Sequence, residues 1–140
     1  MTRDTNILEK LIPSVINLFI ILFLSLIVIY MFNIEDTISR KTIFISIMFL
    51  YNLCIAVFNK NRCIGMIIMN TYWEKEYSLT NRILYALLYT LSFSTLLFYI
   101  YFPYDLLLFN LLLIQLPFIL TKHTTAHGYL SGNMKTIKKT

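Results

Sequence analysis

Charge is what this chain has least of. Asp, Glu, Lys and Arg make up 14% of its 140 residues, 58% are apolar, and the mean hydropathy is +0.69. Soluble domains carry roughly a quarter of charged residues, so an ordinary soluble domain is excluded and a single membrane domain is what remains. Glycine, alanine and proline number three each, and there are two histidines. Three glycines cannot build a phosphate-cradling loop, no Ser-His-acid set can be assembled, and no pair of carboxylates lies within an apolar run, so the inventory reads as no enzyme. Only two cysteines are present, Cys54 in an apolar run and Cys63 in a basic stretch, at different depths, which implies no disulfide framework. His123 and His127 stand four apart, one helical face, but a zinc site needs three or four ligands and Cys63 is distant in sequence, so no metal or cofactor is expected. Gly128-x-x-x-Gly132 has the spacing of a helix-dimer motif, yet it sits in a polar tail. The ten tyrosines and eleven phenylalanines accompany abundant Ile, Leu, Asn and Lys, a bias an AT-rich coding sequence produces without selection for a ligand box.

What is present is a set of long uncharged runs. Residues 11–32 hold no charge and are long enough to span a bilayer, for which about 20 residues suffice. A cleaved signal peptide is disfavoured by the neutral leading segment, the over-long apolar core and the lack of a small-x-small cleavage site. Pro13 suits a first helical turn, where its missing amide hydrogen costs nothing. A short polar connection with Glu35 and Asp36 leads to a second span, 42–58. Thr80 or Asn81 is placed to cap a third, 83–102. Pro103, Tyr104 and Asp105 form a minimal turn into a fourth, 106–120, interrupted by Pro117. The predicted fold is therefore all-α: four transmembrane helices as two hairpins joined by a basic loop, 59–82, and followed by a basic tail, 121–140.

Orientation follows from the cations. Four spans put the amino terminus, the loop and the tail on one side with ten of the twelve Lys and Arg residues, against Arg40 and Lys41 on the other. That bias places both termini in the cytoplasm of a plasma-membrane protein, its basic residues beside anionic lipid headgroups rather than nucleic acid. In the loop, Ile64 to Met69 followed by Tyr72, Trp73 and Tyr77 should lie at the headgroup level, as a short helix or a strand pair.

Two constellations stand out within the spans. Ala86, Thr90 and Ser94 recur every four residues, a ridge of small side chains along which another helix packs, within the bundle or from a second copy or another membrane protein. Asn17, Asn52, Asn110 and Gln115 place one amide in each of three spans and a second in the fourth. They either border a polar path or make interhelical hydrogen bonds, worth about 0.6 kcal/mol each.

The segment Ile64-Gly65-Met66-Ile67-Ile68-Met69, then Ser78-Leu79-Thr80-Asn81-Arg82, then His127-Gly128-Tyr129-Leu130-Ser131-Gly132 resembles the RDD family of small membrane proteins, with Lys10-x-x-Pro13-x-x-Ile16-Asn17 in the place of its opening motif. The resemblance spans Lys10 to Gly132 and marks Lys10, Asn17, Gly65, His127 and Gly132 as motif positions. The Arg and two Asp that name the family read Lys10, Asn17 and Gly128 here. The resemblance implies a membrane bundle and a transport-associated role, for some members a cation/proton antiport. Antiport needs a titrating group inside the membrane, and none of the four spans contains Asp, Glu, His, Lys or Arg. Passage of a small solute or ion without proton coupling is the first expectation. The second is a non-catalytic accessory or immunity-type protein that binds another membrane protein.

Overall fold

The computed structural model describes residues 2–97 and 113–139, with side chains except at 93–97 and 139. It is mostly helical, and two of its helices, α1 (Ile7–Met31) and α2 (Thr37–Phe58), are long and apolar enough to cross a membrane. Helix α1 starts ahead of the expected Leu11 because Asn6 and Glu9 form a capping box: the Asn6 side chain accepts from the Glu9 amide and Glu9 returns to the Asn6 amide. Pro13 consequently lies inside the helix rather than in its first turn, which leaves the Glu9 carbonyl without its usual helical donor. Helix α2 likewise starts before Thr42, since the Asp36 carboxylate accepts from the Ser39 amide at 2.8 Å.

Helix α3 is a short piece, Ile64–Ile68, and α4 runs from Leu79 to Leu97. Ser78, not Thr80 or Asn81, caps α4: its hydroxyl accepts from the Asn81 amide at 3.2 Å. Residues 98–102 of the expected third span, the Pro103-Tyr104-Asp105 turn and residues 106–112 of the expected fourth lie outside the described residues. Leu113–Lys122 is an apolar helix whose first turn is π-wound and which continues as α5 (Leu116–Lys122). Pro117 stands at the start of that α-helical part, where a missing N–H is tolerated. Helix α6 (Ala126–Leu130) follows.

The all-α expectation needs one correction. Strands β1 (Thr2–Asp4), β2 (Thr71–Trp73) and β3 (Thr136–Lys139) form an antiparallel sheet in the order β1-β3-β2, with Arg3 opposite Lys138 and Tyr72 opposite Ile137. The amino terminus and the tail, expected as polar segments, and the central loop, expected as a short helix or a strand pair and found as α3 and β2, thus join in one sheet through the tail strand. Strands this short have no periodicity of their own; β1 and β2 exist because β3, between them, supplies the partners of both.

Burial along α1 is inverted relative to a helix in water. Asn17, Leu18, Ile21 and Ser25 are buried on one stripe, while Phe19 (67% exposed), Phe23 and Leu26 face outward. A water-soluble helix turns its apolar stripe inward. The core joins Leu18 and Ile21 of α1 to Phe44 and Met48 of α2 and Tyr89 of α4. In the small-residue ridge, Ala86 and Thr90 are buried and the Thr90 hydroxyl donates to the Ala86 carbonyl at 2.9 Å, while the Ser94 side chain is outside the description.

With so few glycines, asparagine takes up left-handed backbone. Asn33 after α1, Asn61 after α2, Asn70 after α3 and Asn133 after α6 all have φ between 49° and 64°. Asparagine is the side chain best tolerated there after glycine.

Candidate functional site

Under the sheet lies a cavity of about 60 Å³, walled by nearly every element of the chain. Helix α1 contributes Glu9, Lys10, Pro13, Ser14 and Asn17, and the end of α2 contributes Asn52 and Ile55. Asn61, Cys63, Met66, Thr71 and Trp73 come from the central loop, and Tyr85 and Tyr89 from α4. Thr124, Thr125, Met134 and Thr136 close it from the tail.

Three sets of interactions hold the walls. First, Glu9 anchors the sheet to α1. Its carboxylate takes both Arg3 guanidinium nitrogens at 2.7 and 3.0 Å and the Lys138 ammonium at 3.1 Å, so the cross-strand pair of β1 and β3 converges on one helical acid. Second, α3 is fastened to α1. The Asn17 side-chain oxygen accepts from the Gly65 amide and from the Tyr51 hydroxyl, each at 3.1 Å. The helices meet so closely that a Cβ on Gly65 would stand 2.6 Å from the Pro13 Cα and closer still to the Pro13 carbonyl oxygen, both backbone atoms. Asn17 also hydrogen-bonds Cys63, whose thiol burial holds above its ordinary pKa. Third, aromatic rings bind the tail to α4. His127, 3% exposed, lies edge-on to Tyr85 and Tyr89 at 4.6 and 4.5 Å between centroids, and its Nε2 pairs with the Tyr85 hydroxyl at 3.0 Å. Trp73 packs edge-on against Tyr85 and Tyr77, extending the cluster to β2. Burial drives the His127 pKa down to about 3, so the imidazole is neutral at any ordinary pH.

Two helix ends are closed by side chains from elsewhere. Arg82 donates to the Ala56 carbonyl at 2.8 Å, satisfying part of the last turn of α2. Gln115 accepts from the Ala126 amide at 3.1 Å at the start of α6.

The predicted polar path is therefore divided. Asn17 and Asn52 line one cavity, Gln115 is buried away from it in a helix contact, and Asn110 lies outside the described residues. Asn17 has its oxygen fully engaged in structure, while Asn52 spends its NH₂ on the Met48 carbonyl one turn back. The paired histidines part company: His123 ends α5 in the left-handed region and is exposed, whereas His127 is buried on α6. Among the described residues no three metal-ligating side chains cluster. The five positions singled out by the resemblance lie as follows. Lys10 and Asn17 line the cavity, Gly65 touches α1, His127 packs behind Tyr85, and Gly132, at φ 113°, lies against the Asn81 side chain.

Residues that sequence reasoning missed are Glu9, Asn61, Tyr85, Tyr89, Thr124 and Thr125. Of these only Glu9 had a local signal, the Asn6-x-x-Glu9 capping-box spacing. Comparison with protein-family models, curated proteins and solved structures finds no match for this chain.

Proposed function

We propose that this is a four-span membrane protein of RDD-like build, both termini cytoplasmic, that passes a small polar solute without proton coupling. The observation that carries the reading is the cavity under the sheet. It joins polar side chains of two membrane-length helices, Asn17 and Asn52, to a cap drawn from all three segments that the cation count puts on the cytoplasmic side. A sheet made of both termini and the central loop requires those three segments to share one side, as four spans would arrange them. The apolar outward face of α1 and its buried Asn17 and Ser25 suit lipid outside and polar contacts inside. Uncoupled passage is supported by the state of the cavity's one carboxylate: Glu9 is matched by Arg3 and Lys138 and is not free to exchange a proton for a cation. The basic residues around the cap favour anionic headgroups as the neighbouring surface.

The test is flux in proteoliposomes loaded with monovalent ions and small neutral solutes. Expected is a protein-dependent flux that an imposed pH gradient does not drive, reduced by Asn52→Leu at unchanged melting temperature. Flux driven by the pH gradient, or none for any solute, overturns the reading.

A further inference from the structure

The same cavity carries a more specific conclusion about its ligand, one that rests on the solute-handling reading above. Asn61 is 4% exposed and lines the cavity, and its amide nitrogen has no hydrogen-bond partner among the described residues. An unpaired buried donor costs about 1–3 kcal/mol, and native structures rarely leave one without a partner from protein, water or ligand. Its backbone groups are already used: the backbone carbonyl accepts from the Trp73 indole at 2.7 Å, and the backbone amide donates to the Ile55 carbonyl. The left-handed backbone at Asn61 is the device that turns the chain back under α2 and sets this side chain in the wall.

Lys10 is the second donor. Its ammonium gives one hydrogen to the Thr5 carbonyl at 2.6 Å, and two N–H bonds remain to a group that can make three. The local field has the same sign. Arg3, Lys10, Lys135 and Lys138 stand against Asp4 and Glu9, four cations to two carboxylates, and Glu9 is already covered by two of the four. The lining also holds an apolar portion, Ile55, Met66 and Met134. At roughly 15 Å³ per water-sized group, 60 Å³ holds about four heavy atoms. One cationic donor, one neutral amide donor, an apolar portion of the wall and room for four atoms describe one chemical class.

We infer that the cavity binds a small monocarboxylate of acetate size, its oxygens on Lys10 and Asn61 and its methyl against Ile55, Met66 and Met134. Trp73, the one tryptophan in the chain, reports on the site, because its indole is hydrogen-bonded to Asn61.

The experiment titrates the detergent-solubilised full chain with sodium acetate, formate and valerate at constant ionic strength and follows Trp73 emission. Expected is a saturable change with acetate and formate, none with valerate, and no difference when potassium replaces sodium. Lys10→Gln and Asn61→Gly, the latter keeping the left-handed turn while deleting the amide, each raise the half-saturating concentration about tenfold or more, the scale of a hydrogen bond to a charged group. Should Asn61→Gly not fold, Asn61→Asp keeps the turn and replaces the donor with a repelling acceptor, and must abolish the response. A change that is linear in salt, that follows the cation, or that survives both substitutions overturns the site. Acetate flux in proteoliposomes separates the two conclusions: binding without flux keeps the site and removes passage, and flux without binding does the reverse.

Discussion

The Asn17 side-chain oxygen accepts the backbone N–H of Gly65 across 3.1 Å and 48 residues of chain. One amide thereby fixes where the central loop returns to the membrane-length helix α1, and the absence of a side chain on Gly65 lets it come so near.

That relationship predicts a specific pattern of damage. Asn17→Ala leaves the buried Gly65 amide and the Tyr51 hydroxyl without their acceptor and should cost about 1–3 kcal/mol, whereas Asn17→Asp, which retains an acceptor, should cost less. Gly65→Ala should cost about 2 kcal/mol or more by overpacking, and Pro13→Ala should not rescue it, because the obstructing atoms are Pro13 backbone. Thermal melts in detergent decide both points. Rescue by Pro13→Ala would mean that the ring, not the backbone, sets the approach.

A pH dependence follows from His127. Its folded pKa of about 3 lies below the ordinary 6.5, so between these values the unfolded chain binds a proton that the folded chain refuses. Stability is therefore complete above pH 6.5 and falls as the pH drops toward 3, by up to about 1.4 kcal/mol per unit. Between pH 7.5 and 5 the loss should reach about 2 kcal/mol, a window above most carboxylate titrations. His127→Phe should flatten the melting temperature across that window. A slope unchanged in the variant would assign the effect to another group.

Topology is tested by labelling. With Cys54 and Cys63 replaced by serine, a cysteine at Asp36 should react with an impermeant maleimide from outside the cell, and one at Lys75 should react only after permeabilisation. A cysteine at Thr2, on the strand that shares a sheet with the loop strand, must behave like the one at Lys75. Opposite behaviour of Thr2 and Lys75 would contradict the sheet itself, and labelling of both from outside would invert the orientation.

Length and apolarity were legible in the chain because they are local sums: a run without charge, such as residues 11–32, declares a membrane-length helix whatever surrounds it. The helix ends were less legible. Asn6 and Asp36 extend α1 and α2 by capping polar turns that hydropathy alone assigns to connections. Asn17 and Asn52 could be picked out as polar residues in apolar surroundings, but not what each would bond.

The sheet, the cavity and the roles of its residues belong to the tertiary structure alone. Strands of three or four residues carry no pattern until β3 stands between β1 and β2, and nothing near Arg3 or Lys138 indicates that both will meet Glu9. Asn61, Tyr85 and Thr124 are ordinary residues in sequence, separated by long stretches of chain. Only the packing of loop, helix and tail on one end of α1 makes them a single wall, because burial and hydrogen-bond pairing are properties of the assembled neighbourhood and not of any one segment.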